Sequence, residues 1–531
     1  MADSPRNLDA LGVDELKGLI VQLVEALARV KAENEALREE IARLKGLKGK
    51  PNIKPSKPSG MDKLAKPRSG KASGGKKPRR GSKNANLVID ETRDLRPDDV
   101  PAGSIFKGYA TFVIQDLIVR PWTVCYRRQR WKTPAGGTIV APLPDGIIGH
   151  FGGNLVRFVL AQYHQCQVTV PRLSTQLQDF GLSISQRQVM RLLIKDKDDF
   201  LAEGCGVLRA GLETARWITV DDTGARHRGR NGCCSHIGND HFAWFSTTCS
   251  KSRLNFLQLL RACDTGYQIN DAALDYMRDH NLPGHLVRRL ADHKNHIFAD
   301  RQAWMAHLQA LQLTDLETHP DPVRIASEGA IWGRITALGL VAGTVIVSDG
   351  AGQFRVGDHA LCWVHGERLI YKLDTFTEHQ RKAVARIRHR IWWLYADIKT
   401  YCHDPTPERK WQLRRRFDSI FTSKTGFAAL DRQLNRLHKR KRELLRVLER
   451  PEIPLHTNGS ENDIRCQVTK RKISGGTRSD DGRKCRDAFL SLMKTCAKQG
   501  IGFWDYLGDR LSVPGSPCVP PLPQCIRQSA A

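Results

Sequence analysis

No apolar run in this sequence approaches the ~20 residues that a membrane span needs. The most apolar helical stretch, Gly18 to Val30, is interrupted by Gln22 and Glu25, so no membrane association is expected. No secretory signal is visible at the N-terminus. The fourteen cysteines follow no repeating framework, which points to reduced thiols in a cytosol, most of them buried as small apolar groups. No Gly-x4-Gly-Lys-Ser/Thr loop occurs, which removes nucleotide-driven chemistry of the P-loop kind. Acids are scarce: 56 Asp and Glu face 84 Lys and Arg, a net charge of +28. That imbalance favours a polyanionic partner such as nucleic acid. At 531 residues the chain exceeds one ordinary core, so several domains are expected.

What is present divides the chain. Over residues 8–47, Leu16, Leu23, Val30, Leu37 and Leu44 recur every seventh residue, and Ile20, Leu27, Asn34 and Ile41 fall four residues after the first four. These are the d and a positions of a dimerising coiled coil, with Asn34 favouring a parallel, in-register pair. Glu33 and Glu40 can meet Arg38 and Lys45 of a partner helix. An amphipathic helix folded back on its own chain is the alternative. Residues 48–86 form a basic linker expected to be disordered; from 45 to 84 there are fourteen Lys or Arg and one acid, Asp62, suited to tracking DNA phosphates. Residues 87–148 read as a small β module with strands at 110–116 and 122–128. Its only cysteine is Cys125, too few for a zinc ribbon. Residues 149–212 are helical, with Val170 to Phe180 and Gln186 to Ile194 separated by a tight turn and Ser185 as N-cap. As a helix-turn-helix this would present Gln186, Arg187, Gln188 and Arg191 to a DNA groove; two packed helices without special function fit equally well.

The chemistry lies in residues 213–500. Trp217-Ile218-Thr219-Val220 runs into Asp221-Asp222, and Val345-Ile346-Val347-Ser348 runs into Asp349-Gly350. Each reads as a strand delivering a carboxylate to a sheet edge. A third acid, Glu461, stands near the start of a helix after Thr457-Asn458-Gly459. Singly, such acids are turn or cap residues. Together they suit a pair of magnesium or manganese ions in an α/β, ribonuclease-H-like core. Helical insertions are expected at 264–340 and 375–450, the second rich in Arg and Lys, and a C-terminal tail at 501–531 that is Pro-rich and unstructured beyond Ser512. The pair Cys362 and His365 offers two ligands only, and Cys233-Cys234 with His236 and His241 is read as structural.

Val220-Asp221-Asp222-Thr223-Gly224, Val347-Ser348-Asp349-Gly350, Cys362-Trp363-Val364-His365 with Glu367-Arg368, and Asn458 to Arg465 followed by Lys470-Arg471-Lys472 resemble the transposases of the insertion-sequence-66 family. The last block keeps the family's spacing at Asn458, Glu461, Ile464 and Arg465. The resemblance implies that Asp221, Asp349 and Glu461 are the catalytic acids and the ligands of two Mg2+ (or Mn2+) ions. They would cut DNA at the ends of a bacterial insertion sequence and transfer the 3′-OH strand into target DNA. Lys470, Arg471 and Lys472, with Arg465, would hold double-stranded DNA, the element ends and the target. Small helper proteins of the element are possible partners, and the setting would be the cytoplasm at the nucleoid. Two departures stand out: the family's cysteine-paired zinc segment lacks partners for Cys125, so zinc is doubtful, and the segment at 264–340, between the first and second acids, is longer than the resemblance leads one to expect. Asp222 stands where the family commonly has a glutamate and is read as a supporting or capping acid. A non-catalytic dimeric DNA-binding regulator and a nuclease without joining activity are the rival readings.

Overall fold

The computed structural model describes residues 88–144, 147, 150–316 and 318–530. The expected coiled coil, with Leu16 through Leu44, and the basic linker lie outside them. The chain forms two compact units, Met1–Arg120 and Pro121–Ala531. The described part of the first, residues 88–120, contains no helix or strand.

In the second unit a five-stranded sheet is built from β1 (Trp217–His227), β2 (Arg230–Gly238), β3 (Ala243–Thr248), β4 (Val345–Ser348) and β5 (Asp358–Leu361), in the order β3-β2-β1-β4-β5. β2 is antiparallel to both β1 and β3, whereas β1, β4 and β5 run parallel. Parallel strands need long crossovers. The helical segment between β3 and β4 supplies one, and it includes the expected insertion at 264–340.

Side chains alternate across the sheet with a period of two. Ile218, Val220 and Ile346 enter the larger core with Val207, Leu208 and Leu212 of the helix Asp198–Thr214, here α1. Val345 and Val347 point to the opposite face. There they meet α2 (Trp363–Tyr371) and the second insertion, α3 (Glu378–His403), α4 (Pro407–Phe421) and α5 (Ala428–Lys439). α3 is helical because Ile387, Ile391, Leu394 and Ile398 repeat at the spacing of one helix face, and all four are buried. Its N-terminus carries a capping box between Thr377 and Gln380.

Two further helices complete the frame, α6 (Asn458–Ser474), which carries Glu461, and α7 (Asp480–Lys498). α7 lies along β3: the Thr495 hydroxyl accepts from the Ala243 N–H at 3.2 Å and donates to its carbonyl at 3.1 Å.

Several expectations need correcting. The runs 110–116 and 122–128 form no strand, and Phe112 and Trp122 are exposed. The only ladder among the described residues of 87–148 is the hairpin Arg130–Lys132 with Thr138–Val140. Cys205 and Cys263 form a disulfide where reduced thiols were expected. The tail expected to be unstructured beyond Ser512 carries a helix, Leu522–Ala530. Leu522 and Ile526, four residues apart in the helix Leu522–Ala530, are buried, and Glu203 of α1 accepts from the Leu522 N–H at 3.0 Å. A Pro-rich lead-in thus delivers one amphipathic turn to a waiting groove.

Trp363 anchors the second core: it is 3% exposed, packs edge-on to Phe417 and Phe421, and donates its indole N–H to the Leu444 carbonyl at 2.9 Å. Trp363→Ala is expected to cost about 3–5 kcal/mol, read as a lower melting temperature and an earlier denaturant midpoint.

Candidate functional site

β1 is buried through Ile218, Thr219 and Val220 and becomes partly exposed at Asp221. Thr219 lies beside Val347 in the parallel β1–β4 pairing. Two residues further along each chain, Asp221, still paired with His236 of β2, and Asp349, just past the end of β4, therefore fall on one face. Asp221 accepts from the Asp222 N–H at 2.8 Å, and Asp349 accepts from the Ala351 N–H at 2.9 Å. Burial first, then the Asp349 and Asp222 carboxylates, push Asp221 up to about 6, against the opposing backbone hydrogen bond and His365.

The third acid arrives on α6, whose start is fixed to the sheet. The Ser460 hydroxyl donates to the Thr219 hydroxyl at 2.6 Å, with both residues buried. Glu461 follows in the first helical turn, where the N-terminal end of the helix dipole favours a carboxylate. One Glu461 oxygen lies 3.6 Å from His365 Nε2.

His365 stands between the acids, a role the sequence did not reveal beyond singling out its block. Its hydrogen bond to Cys362 chiefly raises it above the ordinary histidine value, with the Glu461 carboxylate adding to this. Burial pushes the Cys362 thiol up, but the bonds to His365 and Thr457 outweigh it and leave the thiol below its usual value. The imidazole therefore faces Glu461 directly and Asp221 through its charge.

The remaining flagged residues divide sharply. Asp222 is paired with Lys251 and accepts from the Gln353 amide at 2.8 Å, so it supports the site from beside it. His236, 1% exposed, lies 3.4 Å from Asp463 of α6, while Cys233 and Cys234 are buried free thiols. Arg187 and Arg191 project from the helix Gln186–Ile194 and are exposed, but Gln188 is spent on the capping box with Ser185. Arg465 and Lys472 are exposed on α6. Arg471 donates to the Gly224 carbonyl. Lys470 is 5% exposed and donates to the Tyr163 carbonyl at 2.7 Å, so it faces the interior and not a DNA backbone.

Carboxylate oxygens are the donors hard divalent cations prefer, and the unbalanced charge of Asp221 beside Asp349 fits such an ion. Among the described residues no three His, Cys, Asp or Glu side chains are grouped to hold a metal. Glu461 is turned toward His365 and would have to swing to the aspartates to join them.

Beneath Asp349 lies a polar lock. Ser348 and His359 are hydrogen-bonded at 2.8 Å, the other His359 nitrogen lies 3.3 Å from Glu443, and Arg440 pairs with Glu443 while donating to the Gly350 carbonyl at 3.3 Å. Burial would raise Glu443, yet the bonds from His359 and Arg440 bring it down to about 2. A carboxylate with a lowered folded value stabilises the fold above its unfolded value and loses that contribution as pH falls toward the folded one. Glu443→Gln is therefore expected to lower stability by about 1–3 kcal/mol at pH 7. The difference should shrink between about pH 4.5 and 2, as followed by melting at each pH.

The model of the transposase IS66 family matches residues 336–485, a span that includes Asp349, His365 and Glu461 and begins after Asp221. The uncharacterized protein y4jO of Sinorhizobium fredii (strain NBRC 101917 / NGR234) is 49% identical over 316 residues, covering 59% of this chain and 97% of that protein. With two acids and the histidine between them inside the matched span, the chain belongs to the IS66 family of transposases.

Proposed function

We propose that the chain is a metal-dependent DNA transposase with a ribonuclease-H-like core, in which Asp221, Asp349 and Glu461 are the catalytic acids. The observation that carries this reading is the parallel β1–β4 register. It sets two carboxylates side by side while Ser460 ties the helix bearing the third acid to Thr219 on the same face. Family membership supports DNA as the substrate, and so does the net charge of +28.

Two Mg2+ or Mn2+ ions bound by these acids would supply an activated oxygen nucleophile and steady the departing oxygen of a phosphodiester. The chain's own residues do the remainder. Asp221 and Asp349 would hold the ions on their shared face, and the reacting phosphate would be held through those ions. Glu461 would complete the ligand set by turning from His365, which would lose the carboxylate that favours its charged form. Gly350, Arg440 and Glu443 keep Asp349 in place from below. Release of a 3′-OH at the element end and its attack on target DNA exchange one phosphodiester for another, so no nucleotide is consumed. Arg187, Arg191, Arg465 and Lys472 are the exposed cations available to the DNA backbone, and the heptads of residues 16–44 would pair two chains.

Purified protein with element-end DNA and Mg2+ should nick at the element boundary and join that end to a second duplex. Asp349→Asn should lower both activities by at least about 1000-fold while leaving DNA binding intact. Nicking without joining would mean a nuclease; absence of both in the wild type, or unchanged nicking in Asp349→Asn, would leave only a DNA-binding protein. Replacing Arg187 and Arg191 together by Ala should weaken DNA binding and reduce the slope of log affinity against log salt by about 1–2, measured by fluorescence anisotropy.

A further inference from the structure

On the flank of α6, away from Glu461, a cavity of about 20 Å³ is lined by His164, Gln167, Gln467, Lys470 and Arg486 among others. His164 comes from a π-helical turn, Ala161–Gln165, and Gln167 follows with a φ of 59°. π-turns are rare and concentrate at functional sites. Four of these side chains are deeply buried: His164 is 8% exposed, Gln467 0%, Lys470 5% and Arg486 4%. Buried polar groups are ordinarily hydrogen-bonded. Here His164 Nε2, both Gln467 amide atoms, and the Nε and one terminal nitrogen of Arg486 have no protein partner.

No carboxylate lines the cavity. Asp487, next to Arg486 in sequence, directs its oxygens to the Thr247 N–H at 2.7 Å and the Thr247 hydroxyl at 3.0 Å. Lys197 donates to the Lys195 and Asp196 carbonyls. Lys470 keeps one bond, to the Tyr163 carbonyl, and stands 3.5 Å over the Tyr163 ring. Burial first and the Arg486 charge second bring Lys470 down to about 7. Burial, then Lys470, Arg486 and Lys197, hold His164 well below its usual value. The guanidinium keeps its charge regardless; the Asp487 carboxylate acts on it from outside the cavity, but no acid enters the cavity to pair with Arg486 and Lys470 together, and buried cations in excess of their acids cost free energy.

We propose that this cavity binds one small monovalent anion of halide size, held by Arg486, Lys470 and the Gln467 amide, at the seam of α6, α7 and the π-helical turn. The volume admits one body about the size of a water molecule and excludes sulfate or phosphate. A water molecule could satisfy hydrogen bonds but would leave Lys470 and Arg486, which repel each other across the cavity, with Asp487 as their single nearby acid among the described residues. The bound ion pins the helix that carries Glu461, and the site stands independently of whether strand transfer occurs.

The test uses the full-length protein at constant ionic strength, exchanging potassium gluconate for potassium chloride or bromide. The melting temperature should rise by roughly 2–4 °C and level off as the site fills, and Lys470→Met should remove that rise. Crystals grown with bromide should show an anomalous peak beside Arg486 and Gln467. Equal melting in gluconate and halide, an undiminished halide effect in Lys470→Met, or no bromide peak in the cavity would each overturn the proposal, whichever variants fold.

Discussion

The site depends on keeping two like charges side by side at the end of a buried sheet. The parallel register of β1 and β4 forces Asp221 and Asp349 together, and burial raises the energy of the charged Asp221 still further. The Asp222 N–H and the His365 charge offset only part of this. The arrangement persists because the strands beneath are held on both faces: Ile218, Val220 and Ile346 in one core, Val345 and Val347 in the other. Burial of apolar side chains is worth about 1.5–3 kcal/mol each, so a few such residues outweigh the repulsion of one carboxylate pair. A like-charged, partly buried pair is also what gives a site affinity for divalent cations, since the ion removes a penalty already present in the fold.

The second insertion has a structural part in that arrangement. Its C-terminal end supplies Arg440 and Glu443, which reach beneath Asp349 through His359 and the Gly350 carbonyl. Gly350 itself has a φ of +95°, and a Cβ there would come within 2.6 Å of Arg440 and 2.7 Å of Leu361. Asp349-Gly350 is thus a turn that only glycine can complete, closed from below by a helix almost a hundred residues away in sequence. The basic helices over 375–450 serve as a buttress for the second acid as well as a charged surface.

What could be read from the sequence follows from local chemistry. β1, β4 and the start of α6 were legible because β-branched runs ending in Asp or Asp-Gly, and a turn before an amphipathic stretch, announce themselves within a few residues. β2 was not: Cys233-Cys234-Ser235-His236 has no strand signature, and it is a strand because β1 and β3 flank it. The runs over 110–128 had the signature but no partner strand, and pattern alone does not supply one. Lys470 was misread because a basic cluster in sequence says nothing of which side chain turns inward; one helical step from Arg471 reverses its face. The place of His365 beside Glu461 was likewise invisible, since Thr457 and Glu461, which meet it, lie almost a hundred residues further along the chain. The disulfide joins residues 58 apart, and spacing gave no hint of it.

In the proposed site Glu461 would have to move to join the aspartates, and the anchors of α6 decide how. Along that single helix Ser460 bonds Thr219, Asp463 pairs with His236, Lys494 and Lys498, Lys470 bonds the Tyr163 carbonyl, and Arg471 bonds the Gly224 carbonyl. Rotating or sliding the helix would break most of these at once, at about 1 kcal/mol for each neutral bond and more for the buried charged ones. The Glu461–His365 contact is weaker: at 3.6 Å and with side chains 26% and 22% exposed, it is worth about 0–1 kcal/mol. Turning the glutamate about its own side-chain bonds costs no more than that contact plus one rotamer change. The helix is therefore the fixed part of the site, and the carboxylate at its first turn is the part free to move.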